Sequence, residues 1–193
     1  MKLYHHPMSG CSRRVLAFLK AYSIDADLEV VALDKGAHKR PEFLALNPNG
    51  RVPVLVDNDF VLWESLAILH YLAARFAPET LGETEEERAR VLQWSSWGIA
   101  QLGAALSALN AEAGLKRMRG QTPDEAMVAQ LTADVIALLA MVEATLAKSG
   151  GFIAGPTATI ADYVLAPNLL AASQLSKLEL PEYDHLRAWV AHF

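Results

Sequence analysis

The densest group of potentially reactive side chains lies at residues 7–15, where a serine, a cysteine and two arginines follow a proline. The segment joins a predicted strand to a predicted helix, and ligands of open α/β sheets collect at such strand ends. Unpaired N–H groups at a helix N-terminus favour an anion, to which the Ser9 hydroxyl is placed to donate a hydrogen bond. The alternative interpretation is that Ser9 or Ser12 only caps the helix, as serine commonly does.

Three further segments carry groups suited to binding an anion or presenting backbone to a ligand. The turn at 47–51 leads into Val52–Pro53. A cis bond there would turn the backbone N–H and C=O of Val52 towards a ligand, whereas the commoner trans bond makes only a rigid turn. Ser65 opens a helix, where its hydroxyl and the backbone N–H groups form an anion site. The alternative is that Ser65 only caps the helix. Residues 35–40 are a basic cluster that holds carboxylates or is simply solvated.

An α/β unit is predicted to position these segments. Short apolar runs predict strands over 2–5, 28–32, 54–56 and 60–62, and apolar residues at helical spacing predict helices over 12–22 and 65–76. The last two strands flank Asp57-Asn58-Asp59, a sequence suited to a tight turn, and are expected to pair antiparallel. The fold class is therefore α/β in this half.

Beyond residue 80 the pattern changes to long amphipathic helices with no strand signal, which predicts an all-helical second domain. The expected division is 1–77 and 84–193, with a linker at 78–83. Thr122-Pro123-Asp124-Glu125 predicts a helix start with its N-cap before the proline, and Thr159-Ile160-Ala161-Asp162 predicts a capping box. An earlier helix, longer than ~20 residues, is predicted from one apolar stripe, formed by Leu92, Ser95, Ile99, Leu102, Leu106 and Leu109.

Composition narrows the classes of function. The chain has 193 residues, of which 52% are hydrophobic and 20% charged, as in folded globular proteins. Its formal charge of −5 opposes nucleic acid or an anionic membrane as the general partner. With one cysteine, no internal disulfide forms, which favours a cytoplasmic location. Neither a signal core nor an apolar run near ~18 residues is present, and no histidine has metal-ligand partners at suitable spacing, so we expect a soluble, unprocessed chain without a metal.

Taken together and in this order, the four segments resemble the cytosolic glutathione transferases over essentially the whole chain. The first half resembles the thioredoxin-like glutathione domain, whose cis-proline corresponds to Pro53. The second half resembles the helical-bundle domain of that family, whose capping motif corresponds to residues 159–162. Residues 9–15, 36–39, 60–65 and 165–168 are most similar to the phi class and its bacterial relatives.

The resemblance implies a transferase that conjugates glutathione, its co-substrate, to small electrophilic, mostly apolar molecules. Ser9 is expected to be the catalytic hydroxyl, which hydrogen-bonds the glutathione sulfur and favours thiolate over a thiol with an ordinary pKa near ~8.5. The other expected glutathione contacts are His38 and Lys39 at the glycine carboxylate, Arg51 at a carboxylate, the backbone of Val52 before Pro53 at the cysteinyl moiety, and Glu64 and Ser65 at the γ-glutamyl end.

The resemblance also implies a homodimer and an electrophile pocket near residues 102–118 and Met8. Relatives usually continue beyond the segment 186–193, so we expect either that the pocket is open or that the sequence is incomplete. Two other functions remain open from the residues. Cys11 is a candidate for thiol-disulfide, lyase or isomerase chemistry, although a small half-buried thiol inside the helix is the favoured interpretation. The other is a non-catalytic carrier or regulator built on the same fold.

Overall fold

The computed structural model describes all 193 residues, and its four strands form one mixed sheet in the order β2-β1-β3-β4. β1 (Lys2–His5) pairs parallel to β2 (Asp27–Val30) and antiparallel to β3 (Val54–Asp57), which pairs antiparallel to β4 (Phe60–Trp63). The predicted hairpin is confirmed. Its loop is Asn58-Asp59, and Asn58 has a positive φ of 55°, which asparagine tolerates better than most residues.

The alternation of side chains along β1 places helices on both faces of the sheet. Leu3 points into the main core with buried residues of α1 (Gly10–Ala21) and α3 (Ser65–Phe76). Tyr4 points to the other face, where its ring meets the edge of Phe43 in α2 (Pro41–Leu46) at 6.1 Å. Because successive strand residues face opposite sides, one short strand anchors both layers.

Residues 85–118 form a continuous helical rod that contains two π-helical segments. It consists of α4 (Glu85–Trp97), the π segment Gly98–Gly103, α5 (Ala104–Leu109), the π segment Asn110–Leu115 and α6 (Lys116–Met118). A rod longer than ~20 residues confirms the predicted long helix.

The buried stripe of this rod is shifted by one residue at its start. Leu92 and Ile99 were assigned to the stripe, but both are exposed, and Val91 and Gly98 are buried instead. A Cβ at Gly98 would lie 2.5 Å from Cδ1 of Leu165, so the inner position admits only glycine. The sequence pattern pointed to the large apolar side chains and passed over this glycine.

The helix α7 (Glu125–Ser149) begins later than expected, and its N-cap is Asp124 rather than Thr122. Oδ1 of Asp124 accepts the N–H groups of Ala126 at 3.0 Å and Met127 at 3.2 Å, so the carboxylate satisfies two donors of the first turn. By length and composition alone α7 is apolar enough to cross a membrane. In the fold, one side of it is buried in the bundle.

The helix α8 (Ile160–Ser176) is the most deeply buried element, and Asp162 in its first turn ties three segments together. Its carboxylate accepts the N–H of Ile153 at 2.8 Å, the N–H and hydroxyl of Thr159 at 2.8 and 2.9 Å, and Nε1 of Trp189 at 2.9 Å. Trp189 belongs to α9 (Asp184–Val190). The predicted capping box is confirmed, and it also fastens the loop before it and the last helix.

The two halves share one core. The ring of Phe18 in α1 meets the edge of Tyr163 in α8 at 5.0 Å, and Nη1 of Arg13 donates to Oε1 of Gln174 at 2.8 Å. One cluster of 30 buried residues includes Leu3 of the sheet and extends to α9. The expected fold class, an α/β thioredoxin-like half followed by a helical bundle, is confirmed. The boundaries 1–77 and 84–193 remain predictions; a 3₁₀ turn at Pro78–Leu81 lies in the expected linker.

Replacing Asp162 by alanine is expected to lower the free energy of unfolding by roughly 3 kcal/mol or more, since several buried donors lose their acceptor. Asp124→Ala is the control, because it removes an exposed N-cap worth about 1 kcal/mol. Denaturant unfolding followed by circular dichroism measures both. Equal losses would contradict the anchoring role of Asp162.

Candidate functional site

Sheet register brings three of the four candidate segments to one edge of the sheet. Tyr4 of β1 pairs with Val54 of β3, and Val54 pairs with Trp63 of β4. The loop after β1, the loop before β3 and the start of α3 after β4 therefore meet at the same end. This is also where the N-termini of α1 and α3 lie, so the edge is rich in unpaired N–H donors.

Ser9 is the N-cap of α1, and its half-buried side chain accepts the N–H of Ser12 at 3.2 Å. Ser12 is fully buried, and its hydroxyl accepts the N–H of His6 at 3.3 Å. Capping occupies a lone pair of the Ser9 oxygen and leaves the hydroxyl proton free for another acceptor. The two interpretations of Ser9, helix cap and anion donor, are therefore compatible.

The Val52–Pro53 bond is cis, which corrects the trans geometry that base rates favoured and agrees with the geometry implied by the resemblance. Pro53 is buried and Val52 is half-buried. β3 begins only at Val54, and neither the N–H nor the C=O of Val52 is hydrogen-bonded within the chain. Both backbone groups are therefore available to a ligand at the sheet edge.

The basic cluster lies against the turn that precedes the cis bond. Nζ of Lys39 donates to the C=O of Asn49 at 3.4 Å, and Nδ1 of His38 is buried without a partner. Gly50 has a φ of +58°, and a Cβ there would lie 2.7 Å from the carbonyl oxygen of His38. Arg51 is exposed beside this turn. His38, Lys39 and Arg51 form one basic group next to Val52, but no contact joins this group to Ser9.

At the start of α3, Glu64 is exposed and Ser65 is buried. Glu64 has a φ of +74°, an uncommon conformation for a residue other than glycine and one that is concentrated at functional sites. The Ser65 hydroxyl accepts a hydrogen bond from Nη1 of Arg14 at 3.2 Å. This bond joins the N-terminal regions of α1 and α3.

Arg14 also lies at the candidate site, and no role is predicted for it from the sequence. It is only 4% exposed, and this burial lowers the pKa of its guanidinium, an effect that Cys11 and Glu64 oppose. The signal was present in the sequence. Arg14 precedes Phe18 by four residues and therefore lies on the apolar stripe of α1, where a charged residue is unexpected.

Cys11 is exposed, so its interpretation as a half-buried thiol inside the helix is wrong. Its Sγ lies 3.9 Å from Nη1 of Arg14. Asn168 of α8 was also unassigned. Its carboxamide packs so closely on Gly10 that any Cβ at Gly10 would overlap it. The helical half therefore reaches the residue directly after Ser9.

One large cleft lies away from the side where the electrophile is expected. Its volume is ≈ 880 Å³, and it lies between α3 and α4, meeting the candidate site only at Glu64. On the expected side, Met8, Leu115 and Met118 are exposed apolar residues.

Family models match both halves of the chain. The model described as "Glutathione S-transferase, N-terminal domain" matches residues 1–74, and the model described as "Glutathione S-transferase, C-terminal domain" matches residues 124–192. The chain belongs to the glutathione S-transferase family.

Individual glutathione S-transferases match nearly the full chain. Glutathione S-transferase 3 of Zea mays is 34% identical, with 98% of this chain and 86% of the relative covered. A theta-class transferase of Xanthomonas axonopodis pv. citri, solved with glutathione bound, has a TM-score of 0.89 and 29% identity, covering 99% of this chain and 90% of its own. Maize glutathione S-transferase I, solved with an atrazine glutathione conjugate, has a TM-score of 0.85 and 32% identity, covering 99% of this chain and 90% of its own.

The predicted family is therefore confirmed, and so is the predicted similarity of this chain to plant phi-class and bacterial members. The resemblance also predicted the enzyme class, glutathione transferase, and the co-substrate, glutathione. Both predictions are confirmed.

Replacing Gly50 by alanine in this glutathione S-transferase is expected to weaken glutathione binding roughly tenfold, because the new Cβ displaces the backbone of His38. Gly36→Ala is the control. Gly36 has a similar φ of +66°, but nothing lies within 4 Å of the added Cβ. This variant is therefore expected to lose only about 1–2 kcal/mol of the free energy of unfolding, the cost of an alanine in the left-handed conformation. Calorimetric titration compares the two. A binding loss as large in Gly36→Ala would contradict the specific role of the turn.

Proposed function

We propose that this enzyme activates the glutathione thiol through the Ser9 hydroxyl and conjugates it to small electrophilic, mostly apolar molecules. The observation that carries the proposal is the hydrogen bond from the N–H of Ser12 to the Ser9 oxygen, which leaves the hydroxyl proton to be donated. A sulfur atom at this position accepts that proton in a hydrogen bond and lies at the positive end of the α1 dipole. Both effects favour thiolate over thiol.

The ends of glutathione are assigned to the basic group and to the start of α3. His38 and Lys39 bind the glycine carboxylate, and Arg51 contacts a carboxylate from its exposed position. The free N–H and C=O of Val52, oriented by the cis bond to Pro53, pair with the cysteinyl moiety. At the γ-glutamyl end, Glu64 accepts from the ammonium group and Ser65 donates to the carboxylate. These pairings match donor with acceptor at every group.

In the reaction the thiol proton leaves to solvent and the thiolate attacks the electrophile, with Ser9 acting as a hydrogen-bond donor and never as a nucleophile. The electrophile approaches from the side of Met8, Leu115 and Met118, whose exposed apolar surfaces suit an apolar molecule. A relative supports this class of product, since maize transferase I is solved with an atrazine glutathione conjugate.

Cys11 supports a second candidate function, because it is exposed two residues after Ser9 and next to a guanidinium. In a thiol transferase the Cys11 thiolate would attack a disulfide that contains glutathione, so that a mixed disulfide between Cys11 and glutathione forms and the other sulfur leaves as a thiol. A lyase or isomerase would use the same thiol. A non-catalytic carrier, the third candidate, would need neither side chain.

Replacing Ser9 by alanine is expected to lower kcat/KM for conjugation by about 10²–10³-fold, the cost of losing a donor to a developing anion. The pKa of the bound thiol rises at the same time, which thiolate absorbance across pH measures. Ser9→Thr keeps the hydroxyl and the cap, and it is expected to retain most activity.

Cys11→Ala separates the alternatives. It leaves conjugation unchanged if Ser9 is the activating residue. Loss of activity in Cys11→Ala with activity retained in Ser9→Ala would establish the thiol transferase, lyase or isomerase instead. Activity absent from the unmodified enzyme with every electrophile tried would favour the carrier.

We also propose that the enzyme is a cytoplasmic homodimer that needs neither nucleic acid nor a membrane. The cleft between α3 and α4 is lined by apolar residues of both helices, and Leu92 and Ile99 on its rim are exposed. Phe60 and Trp63 of the edge strand β4 are exposed as well. Exposed apolar side chains of this kind suit an interface, and a second copy would bury them.

Replacing Leu92 by glutamate is expected to convert the dimer to a monomer, because the charge would be buried in an apolar interface. Met127→Glu is the control, since Met127 is an exposed apolar residue of α7 outside the cleft. Sedimentation velocity measures both variants. If the unmodified enzyme sediments as a monomer at micromolar concentration, the proposed homodimer is wrong.

A further inference from the structure

The guanidinium of Arg14 is a buried charge without an ion partner in the chain. Arg14 is 4% exposed, its Nε has no hydrogen-bond partner, and it forms no salt bridge. Buried arginines are normally paired, because an isolated charge is costly to remove from water. Cys11 and Glu64 lie close enough to favour its charged form, but neither forms a salt bridge with the guanidinium, which can therefore balance a further negative charge.

The helical half of the molecule makes room for this side chain. Gly103, the last residue of the first π segment, faces Arg14, and a Cβ there would lie 3.3 Å from Nη2 of Arg14 and 2.8 Å from the carbonyl oxygen of Gly98. Arg14 therefore lies where α1, α3 and the rod meet. A glycine at this point leaves space for the guanidinium.

The hydrogen bond from Arg14 to Ser65 fixes the role of the serine hydroxyl. A guanidinium only donates, so the Ser65 oxygen must accept, at 3.2 Å from Nη1. The hydroxyl proton is then directed to a different group. Ser65 is also the first residue of α3, a helix of 12 residues whose initial N–H groups are donors. The start of α3 therefore presents donors backed by a positive charge.

We propose that Arg14 is a positioning residue for glutathione, which holds the Ser65 hydroxyl as a donor to the γ-glutamyl carboxylate and supplies the charge that balances it. Arg14 does not touch the ligand; it acts through Ser65 and through its field at short range. The inference rests on the proposed function, because the carboxylate belongs to glutathione. It predicts that the preference for a ligand with this carboxylate depends on Arg14.

The test uses two ligands that differ only at this group, glutathione and its decarboxylated analogue γ-aminobutyryl-cysteinyl-glycine. Calorimetry is expected to show the unmodified enzyme preferring glutathione by about tenfold to hundredfold, the range for hydrogen bonds to charged groups. In Arg14→Met, which is neutral and of similar length, the preference is expected to fall below about threefold. A general loosening of the fold would weaken both ligands alike and leave the ratio unchanged.

Arg13→Met is the matched control, since it removes an arginine from the adjacent position of the same helix, where the side chain contacts Pro7 and Gln174 instead. It is expected to keep the preference. If Arg14→Met does not fold, Ser65→Ala tests the same relay with the charge in place, and it too is expected to lose most of the preference.

An unchanged preference in folded Arg14→Met would overturn the inference while leaving the proposed function intact. An unchanged preference in Ser65→Ala would overturn the inference together with the proposed contact of Ser65 with the γ-glutamyl carboxylate. Failure of the unmodified enzyme to bind glutathione would overturn both. A preference lost equally in Arg13→Met would show that helix charge in general, and not the position of Arg14, is responsible.

Discussion

The packing of α1 between the sheet and α8 is the contact on which the rest of the structure depends. Phe18 is fully buried between the two halves and meets Tyr163, while Gly10 at the first turn of α1 is pressed against Asn168. Such close packing fixes the position of a helix along its whole length. Because Ser9 caps this helix, the position of its hydroxyl is set by the core and not by a loop.

The same arrangement explains why an acidic protein can offer an anion site. The chain carries a formal charge of −5, yet the sheet edge gathers two helix N-termini, the basic group at residues 38–51 and the buried Arg14. Fields of this kind are local, because solvent screens exposed charges over about 8–10 Å. The acidic surface elsewhere therefore does not cancel the donors that converge at this edge.

The sequence predicted correctly those features that depend on a few neighbouring residues, such as turns and helix caps. The hairpin at 57–59 and the capping box at 159–162 each follow from a few neighbouring residues, and both are observed. The start of α7 was missed by two positions because two adjacent capping signals compete, and the carboxylate of Asp124 caps instead of Thr122. Candidate site residues were identified by type and by resemblance, but their meeting at one edge depends on the sheet register.

Tertiary contacts decided what the sequence pattern missed. The inner stripe of the rod includes Gly98 because Leu165 leaves no space for a side chain. Arg14 is buried because Gly103 leaves space for it, and this pairing joins residues from opposite halves. Neither glycine carries a signal in a hydrophobicity pattern. A charged residue on the apolar stripe of α1 was the only local indication of the role proposed for Arg14.

Helix capping and stabilisation of a thiolate place different requirements on the residue at position 9. Aspartate and asparagine cap a helix about as well as serine, so capping alone does not require a hydroxyl. Aspartate would place a negative charge against a thiolate and oppose its formation. In the proposed mechanism the Ser9 oxygen accepts the N–H of Ser12 and its hydroxyl proton remains for the sulfur, so one oxygen serves both partners. The proposed contact with the thiolate therefore accounts for a hydroxyl at this cap, which the stability of α1 alone does not require.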